Sequence, residues 1–311
     1  MIEQKDGLVL VDAGGSPGAG RRIVDMVRSL SSKPVKAVII TQWHGDKPQG
    51  LSEILKEWPG ARTISTVQTQ AHLRDPATMN TPASPDAARN AAYQNELQGE
   101  IDFMQQGIEQ TKSDAGRRGY TLAKQMFQQY KIDMDGALTI PTKEGFTDSL
   151  TIDDPRVPVK AMFLGRANTD GDAVVWLPKQ KILIAGEIVI LPFPYGYESY
   201  PTDWIATLER LRGFDFKVLV LGHGMPQTDR TQIDKIEAAL KDVRAQVTAL
   251  VAQGLALEQI QGKVNLDTAA TSFGGEDRWL RGWFKAYFVE PIVTSAYKEA
   301  KGEPIVQNLK G

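Results

Sequence analysis

The feature that narrows the fold most is a series of short apolar runs, each ending in a polar loop. Gly7–Asp12 and Val35–Thr41 are apolar at nearly every position, as expected of strands covered on both faces. Between them, Ile23, Val24, Val27 and Leu30 recur at helical spacing, so Arg21–Leu30 reads as an amphipathic helix. Gly14–Gly20 reads as a loop, a tight turn that lacks the spacing of a phosphate-binding loop. Pro48–Trp58 then reads as a helix and Ala61–Ser65 as a strand. This alternation predicts a layered α/β fold. Leu150–Ile152, Val159–Leu164, Val174–Leu177 and Ile182–Ala185 return to strands, the last two joined as a hairpin by Pro178–Lys181. Thr202–Leu211 reads as a helix with Thr202 as N-cap and Asp203 beside the positive dipole end. Val218–Leu221 is the last strand.

Two stretches depart from this texture. Between about His72 and Lys131 the chain is polar and rich in Ala, Gln, Asn and Arg, with Pro76, Pro82 and Pro85 early on. From Asp86 it reads as one or two long helices broken near Gly116–Gly119, an inserted helical element or lid. His72 falls in it as a surface residue. After Pro226 the chain is helical: Ile233–Val251, Leu257–Gly262 and roughly Glu276–Lys298. Trp279, Trp283, Phe284, Tyr287 and Phe288 lie on one side of the last helix, to pack it onto the body or onto another copy of the chain. The domain reading is a body over 1–225, with its insertion at about 72–131, and a helical extension over 226–311.

Composition excludes several function classes. Across 311 residues, Lys+Arg 36 against Asp+Glu 38 leaves a net charge of −2 with no basic run, so nucleic acid and anionic membrane are not expected partners. No apolar run approaches the roughly 20 residues of a membrane span. With Cys 0 there is neither a disulfide nor a thiolate site. The His 3 count, His44, His72 and His223, excludes any site that needs four imidazoles. The polar start has no signal-peptide core. It resembles a hairpin arm, as if the chain began inside a sheet with its natural start, an export signal included, lying upstream. The compartment is unassigned: cytoplasmic by default, periplasmic if such a start exists.

The chemistry-bearing residues gather at strand ends, where α/β folds place their sites. Thr41-Gln42-Trp43-His44-Gly45-Asp46-Lys47 follows one strand and precedes a helix. Asn168 lies in the turn Gly165–Asp172 after another. Glu187 follows Ala185-Gly186, and His223 sits between glycines after the last strand. The loop Leu191–Trp204 is dense in aromatics; Tyr195, Tyr197 and Tyr200, together with Trp43, could wall a substrate pocket.

In this order the motifs resemble those of the metallo-β-lactamase superfamily: Val11-Asp12-Ala13-Gly14, the Gln42–Lys47 loop, Gly165–Asp172, Leu183–Glu187 and Gly222-His223-Gly224. The helical tail bears a vaguer likeness to its alkyl-sulfatase-like and sulfur-oxidation-associated branches. The resemblance implies a four-layer αβ/βα sandwich with the site on one edge of its two sheets. It also implies a loop reading Thr-His-x-His-x-Asp-His, where this chain has Thr41-Gln42-Trp43-His44-Gly45-Asp46-Lys47. The family's next histidine falls on Asn168, its bridging aspartate on Glu187 and its last histidine on His223. Only His44, Asp46 and His223 keep the residue type, and Asp12 matches an aspartate that supports loop backbone.

These replacements bear on the metal. The first ion would rest on Gln42, His44 and Asn168, two of them amides that ligate zinc weakly. The second would rest on Asp46, Lys47 and His223, with Glu187 bridging. A protonated Lys has no lone pair to offer. Two arrangements remain: Lys47 neutralises Asp46 and Glu187 with no metal, or one zinc or other divalent ion sits on His44, Asp46, Glu187 and His223. The expectation is an eroded metal site, with no cofactor, that binds a small molecule in the retained cleft. A one-metal hydrolase of an ester, thioester or lactam, with Asp46 or His44 as base, is the alternative. A third is a structural subunit acting through the insertion and the tail helices, with homo-oligomer formation through the aromatic helix.

Overall fold

A computed structural model describes residues 1–75 and 87–306. The stretch with Pro76, Pro82 and Pro85, Asp86 where the helical reading begins, and the last residues 307–311 of the extension lie outside the described residues. The chain divides into two compact units, Met1–Ile64 with Gln70–Glu144, and Ser65–Thr69 with Gly145–Gly311.

In the first unit, β1 (Ile2–Glu3) pairs antiparallel with β2 (Leu8–Val11). β2, β3 (Val35–Ile39) and β4 (Arg62–Thr66) then run parallel, with Leu10 opposite Val38 and Ile39 opposite Ile64. The sheet's last strand, β5 (Glu144–Phe146), begins at Glu144, whose carboxylate takes both Arg62 Nε and Nη2 at 2.8 and 2.6 Å. The continuous apolar runs arise because Leu8, Leu10, Val35, Val38 and Ile40 are all buried in one core with Val27, Leu51 and Ile54.

α1 spans Pro17–Leu30, so half of the expected Gly14–Gly20 loop is already helix. Ser16 causes this: its hydroxyl accepts the Ala19 amide and Pro17 takes the first helical position. α1 and α2 (Leu51–Glu57) approach closely through glycine. A Cβ on Gly50 would lie 2.1 Å from the Ala13 carbonyl oxygen and 2.8 Å from Gly20 Cα.

α3 (Val67–Arg74) precedes the helical hairpin α4 (Ala87–Gln110) and α5 (Asp114–Asp133). The break falls at Thr111–Ser113, not at Gly116–Gly119. Ser113 caps α5 by accepting the Gly116 amide, and Arg117 reaches back to the Ile108 and Thr111 carbonyls, which keeps both glycines helical. The hairpin is fastened to α1 through Asp133, which receives Arg22 Nη2 at 2.7 Å and packs where a side chain on Gly18 would stand.

The second unit has a sheet ordered β10-β9-β8-β7-β6: β6 (Ser149–Ile152), β7 (Val159–Phe163), β8 (Ala173–Leu177), β9 (Ile182–Ile184) and β10 (Val218–Val220), antiparallel except for β9 with β10. α6 spans Pro201–Arg212, one residue earlier than expected. Pro201 opens it, so Thr202 is no N-cap; its amide and hydroxyl go to the Glu299 carboxylate instead, the hydroxyl at 2.6 Å. α7 (Thr231–Ala252), α8 (Leu257–Gln261), α9 (Asp267–Gly274), α10 (Arg278–Phe284) and α11 (Glu290–Lys301) follow, with Lys285–Val289 π-helical between the last two. α9 has no counterpart in the sequence reading: Ala269, Ala270 and Gly274, its buried positions, are too small to mark a face. The tail helices share one core with the sheet, in which Val174, Leu183 and Leu219 meet Trp204, Leu240, Val243, Phe284 and Phe288.

Gly50→Ala forces a methyl group into the Ala13 carbonyl and is expected to lose about 1–3 kcal/mol or more. Urea unfolding against wild type checks this; an unchanged midpoint would show that α1 and α2 can part at no cost.

Candidate functional site

In the first unit the chain leaves β2 at Asp12, whose φ of +62° lies in the left-handed region that Asp and Asn tolerate. Its carboxylate accepts the Thr41 amide at 2.7 Å and the Thr41 hydroxyl at 2.9 Å. That ties the end of β2 to the end of β3. Asp12 therefore supports loop backbone. Burial pushes its carboxyl up to about 6, against the pull of Lys47 and the Thr41 bonds.

The loop beyond Thr41 is wound on itself. Gln42 is fully buried; its Oε1 accepts the His44 amide at 2.8 Å while its Nε2 has no hydrogen-bond partner among the described residues. The Lys47 amide donates to the His44 carbonyl at 3.0 Å, and the Lys47 carbonyl accepts the Ala13 amide at 2.8 Å. Lys47 thus turns inward with its side chain only 4% exposed, and its Nζ lies 2.8 Å from Asp46 Oδ2. An ammonium taken out of water needs a charge beside it. Asp46, on the adjacent residue and 38% exposed, supplies one.

Trp43 is 1% exposed, so its place is in the core and not on a pocket wall. Its ring stacks on His72 at 4.3 Å and 22° and meets the His44 ring edge-on at 4.5 Å. His72 is accordingly no surface residue: it is fully buried on α3. A polar flanking sequence concealed it, since the stacking partner lies far away in the chain. The sequence reading also passed over Tyr130 and Tyr93, whose hydroxyls meet at 3.3 Å. Burial foremost, with Tyr93 and Asp46 adding to it, holds the Tyr130 phenol well above its ordinary range. Both sit in a hairpin whose polar composition gave no sign of them.

The second unit contributes three further expected residues. Asn168 is fully buried in the turn after β7; its Nδ2 donates to the Tyr195 carbonyl at 2.5 Å and its Oδ1 has no hydrogen-bond partner among the described residues. The turn is fixed by Asp172, which accepts the Thr169 amide, and by Thr66 and Thr69, whose hydroxyls donate to the Gly171 carbonyl at 2.8 and 3.0 Å. Glu187 lies in the 3₁₀ turn Gly186–Ile188, buried, with its Oε1 3.2 Å from His223 Nε2. Gly222 makes room for this pair, because a Cβ there would lie 2.4 Å from that same Oε1.

The three tyrosines part company. Tyr195 and Tyr197 pack together at 4.9 Å and against Tyr287. Tyr200 is buried beneath Arg166, 4.4 Å from its ring centroid, and lines a separate cavity of about 1070 Å³ with Asp203 and Glu299. Burial, with Asp170 adding and Arg166 opposing, pushes the Tyr200 phenol up to about 12.

Asp12 sets a pH dependence. Its folded value of about 6 lies above the ordinary 3.8, so between these values the unfolded chain releases a proton that the folded one keeps. Stability therefore falls as pH rises from about 4 to about 6 and is level in this respect above that range. Asp12→Asn keeps the acceptor oxygen and the backbone conformation, and should remove this slope. Denaturation at a series of pH values checks it; parallel wild-type and variant curves would refute the assignment.

Residues 1–223 match the family model of the metallo-β-lactamase superfamily. Over 288 residues the chain is 27% identical to a linear primary-alkylsulfatase of Pseudomonas sp., covering 86% of this chain and 49% of that protein. It is 39% identical over 103 residues to a type 2 metallo-β-lactamase of Bacteroides fragilis, covering 31% of this chain and 41% of that protein. The chain thus spans about half the length of the curated relatives it matches. Among solved structures, an inverting sec-alkylsulfatase from Pseudomonas sp. superposes with a TM-score of 0.62 at 16% identity, over 96% of this chain and 46% of that one. A metallo-β-lactamase from Pontibacter korlensis superposes at 0.51 and 18% identity, over 78% of this chain and 85% of that one. The two sheets, the many helices and the helical extension are those of this fold class, and the chain belongs to the metallo-β-lactamase superfamily.

Proposed function

We propose that this chain keeps the superfamily's cleft as a small-molecule binding site and has given up its dinuclear metal chemistry. One observation carries the reading: a buried Lys47 ammonium 2.8 Å from Asp46, at a position where the superfamily places a histidine. A protonated Lys cannot ligate an ion, and its charge repels one. The other donors point the same way. Gln42 and Asn168 are neutral amides, and the Gln42 oxygen is already spent on the His44 amide at 2.8 Å. This donor set does not fit a two-ion centre.

What remains is suited to binding. A fixed ammonium forms strong charge-assisted hydrogen bonds to anionic oxygens. The alkylsulfatases among the relatives make a sulfate monoester the first ligand class to test. Protein expressed in zinc-supplemented medium and purified without chelator should hold far less than one metal ion per chain by elemental analysis. Near-stoichiometric zinc, iron or manganese would overturn the reading. Phenyl sulfate should bind the wild type, and Lys47→Met should weaken it about tenfold or more.

A second reading, a hydrolase with one ion on His44, Asp46, Glu187 and His223, is favoured by the buried Glu187 with His223 at 3.2 Å. It requires that His223→Ala lose metal and esterase or lactamase turnover together. Turnover indifferent to chelator and to that substitution excludes it.

A further inference from the structure

The tail helices of the second unit enclose a groove of about 900 Å³, lined by none of the residues of the site described above. One wall is a stripe of four side chains, Arg281, Lys285, Val289 and Val293, each four residues after the last. At about 3.6 residues per turn, an unbroken α-helix would spread these four over about 120° of its circumference. The π-helical turn Lys285–Val289 takes up one extra residue, which cancels about 100° of that drift and keeps the stripe straight. Turns of this kind are frequent at functional sites.

The opposite wall is the segment 261–267, where α8 passes into α9. It is fixed in two places. Gln246 of α7 donates to the Asn265 carbonyl at 2.8 Å and accepts the Asn265 amide at 2.9 Å. Gln261 Nε2 donates to the Thr294 hydroxyl at 3.3 Å, which ties this wall to α11. The groove is therefore preformed.

Its charge has a sign. Arg281 and Lys285 on the helical wall and Lys263 on the other face two carboxylates, Asp267 and Glu290. Arg281 stands 3.8 Å from Asp267 and Lys285 4.0 Å from Glu290, both beyond hydrogen-bond length, so the donors of these cations remain open. Lys263 has no ion pair and no side-chain hydrogen bond among the described residues. Asp267 and Glu290 are 80% and 57% exposed, and surface pairs of such length contribute little. An anion reaching both walls therefore gives up little to bind. The apolar floor, Leu266, Phe284 and Val293, is buried beneath these residues, which leaves an alkyl chain almost nothing to cover.

We infer that this groove binds a phosphate group, free or carried as the monoester of a small polar molecule. A phosphate monoester brings about 1.5 to 2 negative charges at neutral pH, enough to answer cations on both walls. Its tetrahedral oxygens can face the two walls at once, and the Arg281 guanidinium offers paired N–H donors to two of them.

Calorimetric titration of the full chain at constant ionic strength tests this, with inorganic phosphate, glycerol phosphate and acetate as probes. Both phosphates should bind about fivefold or more tightly than acetate. Lys263→Gln and Arg281→Gln should each weaken them about fivefold or more with unchanged melting curves, and Asp267→Asn should tighten them. Tighter binding of glycerol phosphate than of inorganic phosphate assigns the groove to esters and the reverse to the free ion; both support the site. Acetate bound as tightly as phosphate, or glutamine variants that bind phosphate like wild type, would overturn the inference. So would phosphate binding that Lys47→Met abolishes and Arg281→Gln leaves intact, which would place the anion on the Lys47 loop.

Discussion

The contact between the Lys47 ammonium and the Asp46 carboxylate governs how the rest of the first unit can be understood. A lysine this deeply buried is tolerable only with an anion beside it, and the loop delivers one from the adjacent residue at 2.8 Å. The loop is held for the purpose by Asp12, which fastens Thr41, and by the Ala13 amide, which fastens the Lys47 carbonyl. The glycines at 20 and 50 let the helices on either side come close enough to leave no slack. The Asp46 carboxylate thus has a cation beside it from its own loop.

The second unit shows the same economy in a different place. Gly222 has no side chain, so Glu187 can reach His223; Gly196 has none, so an aromatic loop can lie on a π-helical turn. In each case an absent Cβ decides where a functional group stands. Asn168 joins the aromatic loop to the turn after β7 by one amide bond. The amides Gln42 and Asn168 and the Lys47 backbone each hold a loop in place through hydrogen bonds of their own.

Much of this was legible in the sequence. The strands could be read because parallel strands buried on both faces leave continuous apolar runs, and Leu8–Val11 and Val35–Ile39 are such strands. The superfamily could be read because its motif order is specific, and residues 1–223 match its family model. Features set by distant partners could not be read. His72 looked exposed in a polar stretch, yet stacks on Trp43. Thr202 looked like a cap, yet serves Glu299 from a remote helix. Tyr200 looked like a companion of Tyr195 and Tyr197, yet lies under Arg166. Gly116 and Gly119 looked like a break, yet a serine three residues upstream of the first carries the helix through both.

A crystal structure of the full chain grown with excess zinc, with anomalous diffraction collected at the zinc edge, tests the central claim most directly. The account predicts Lys47 Nζ at hydrogen-bond distance from Asp46, as in the 2.8 Å contact described above, and no anomalous peak on that carboxylate. An anomalous peak on Asp46 with the Lys47 side chain swung away would contradict it.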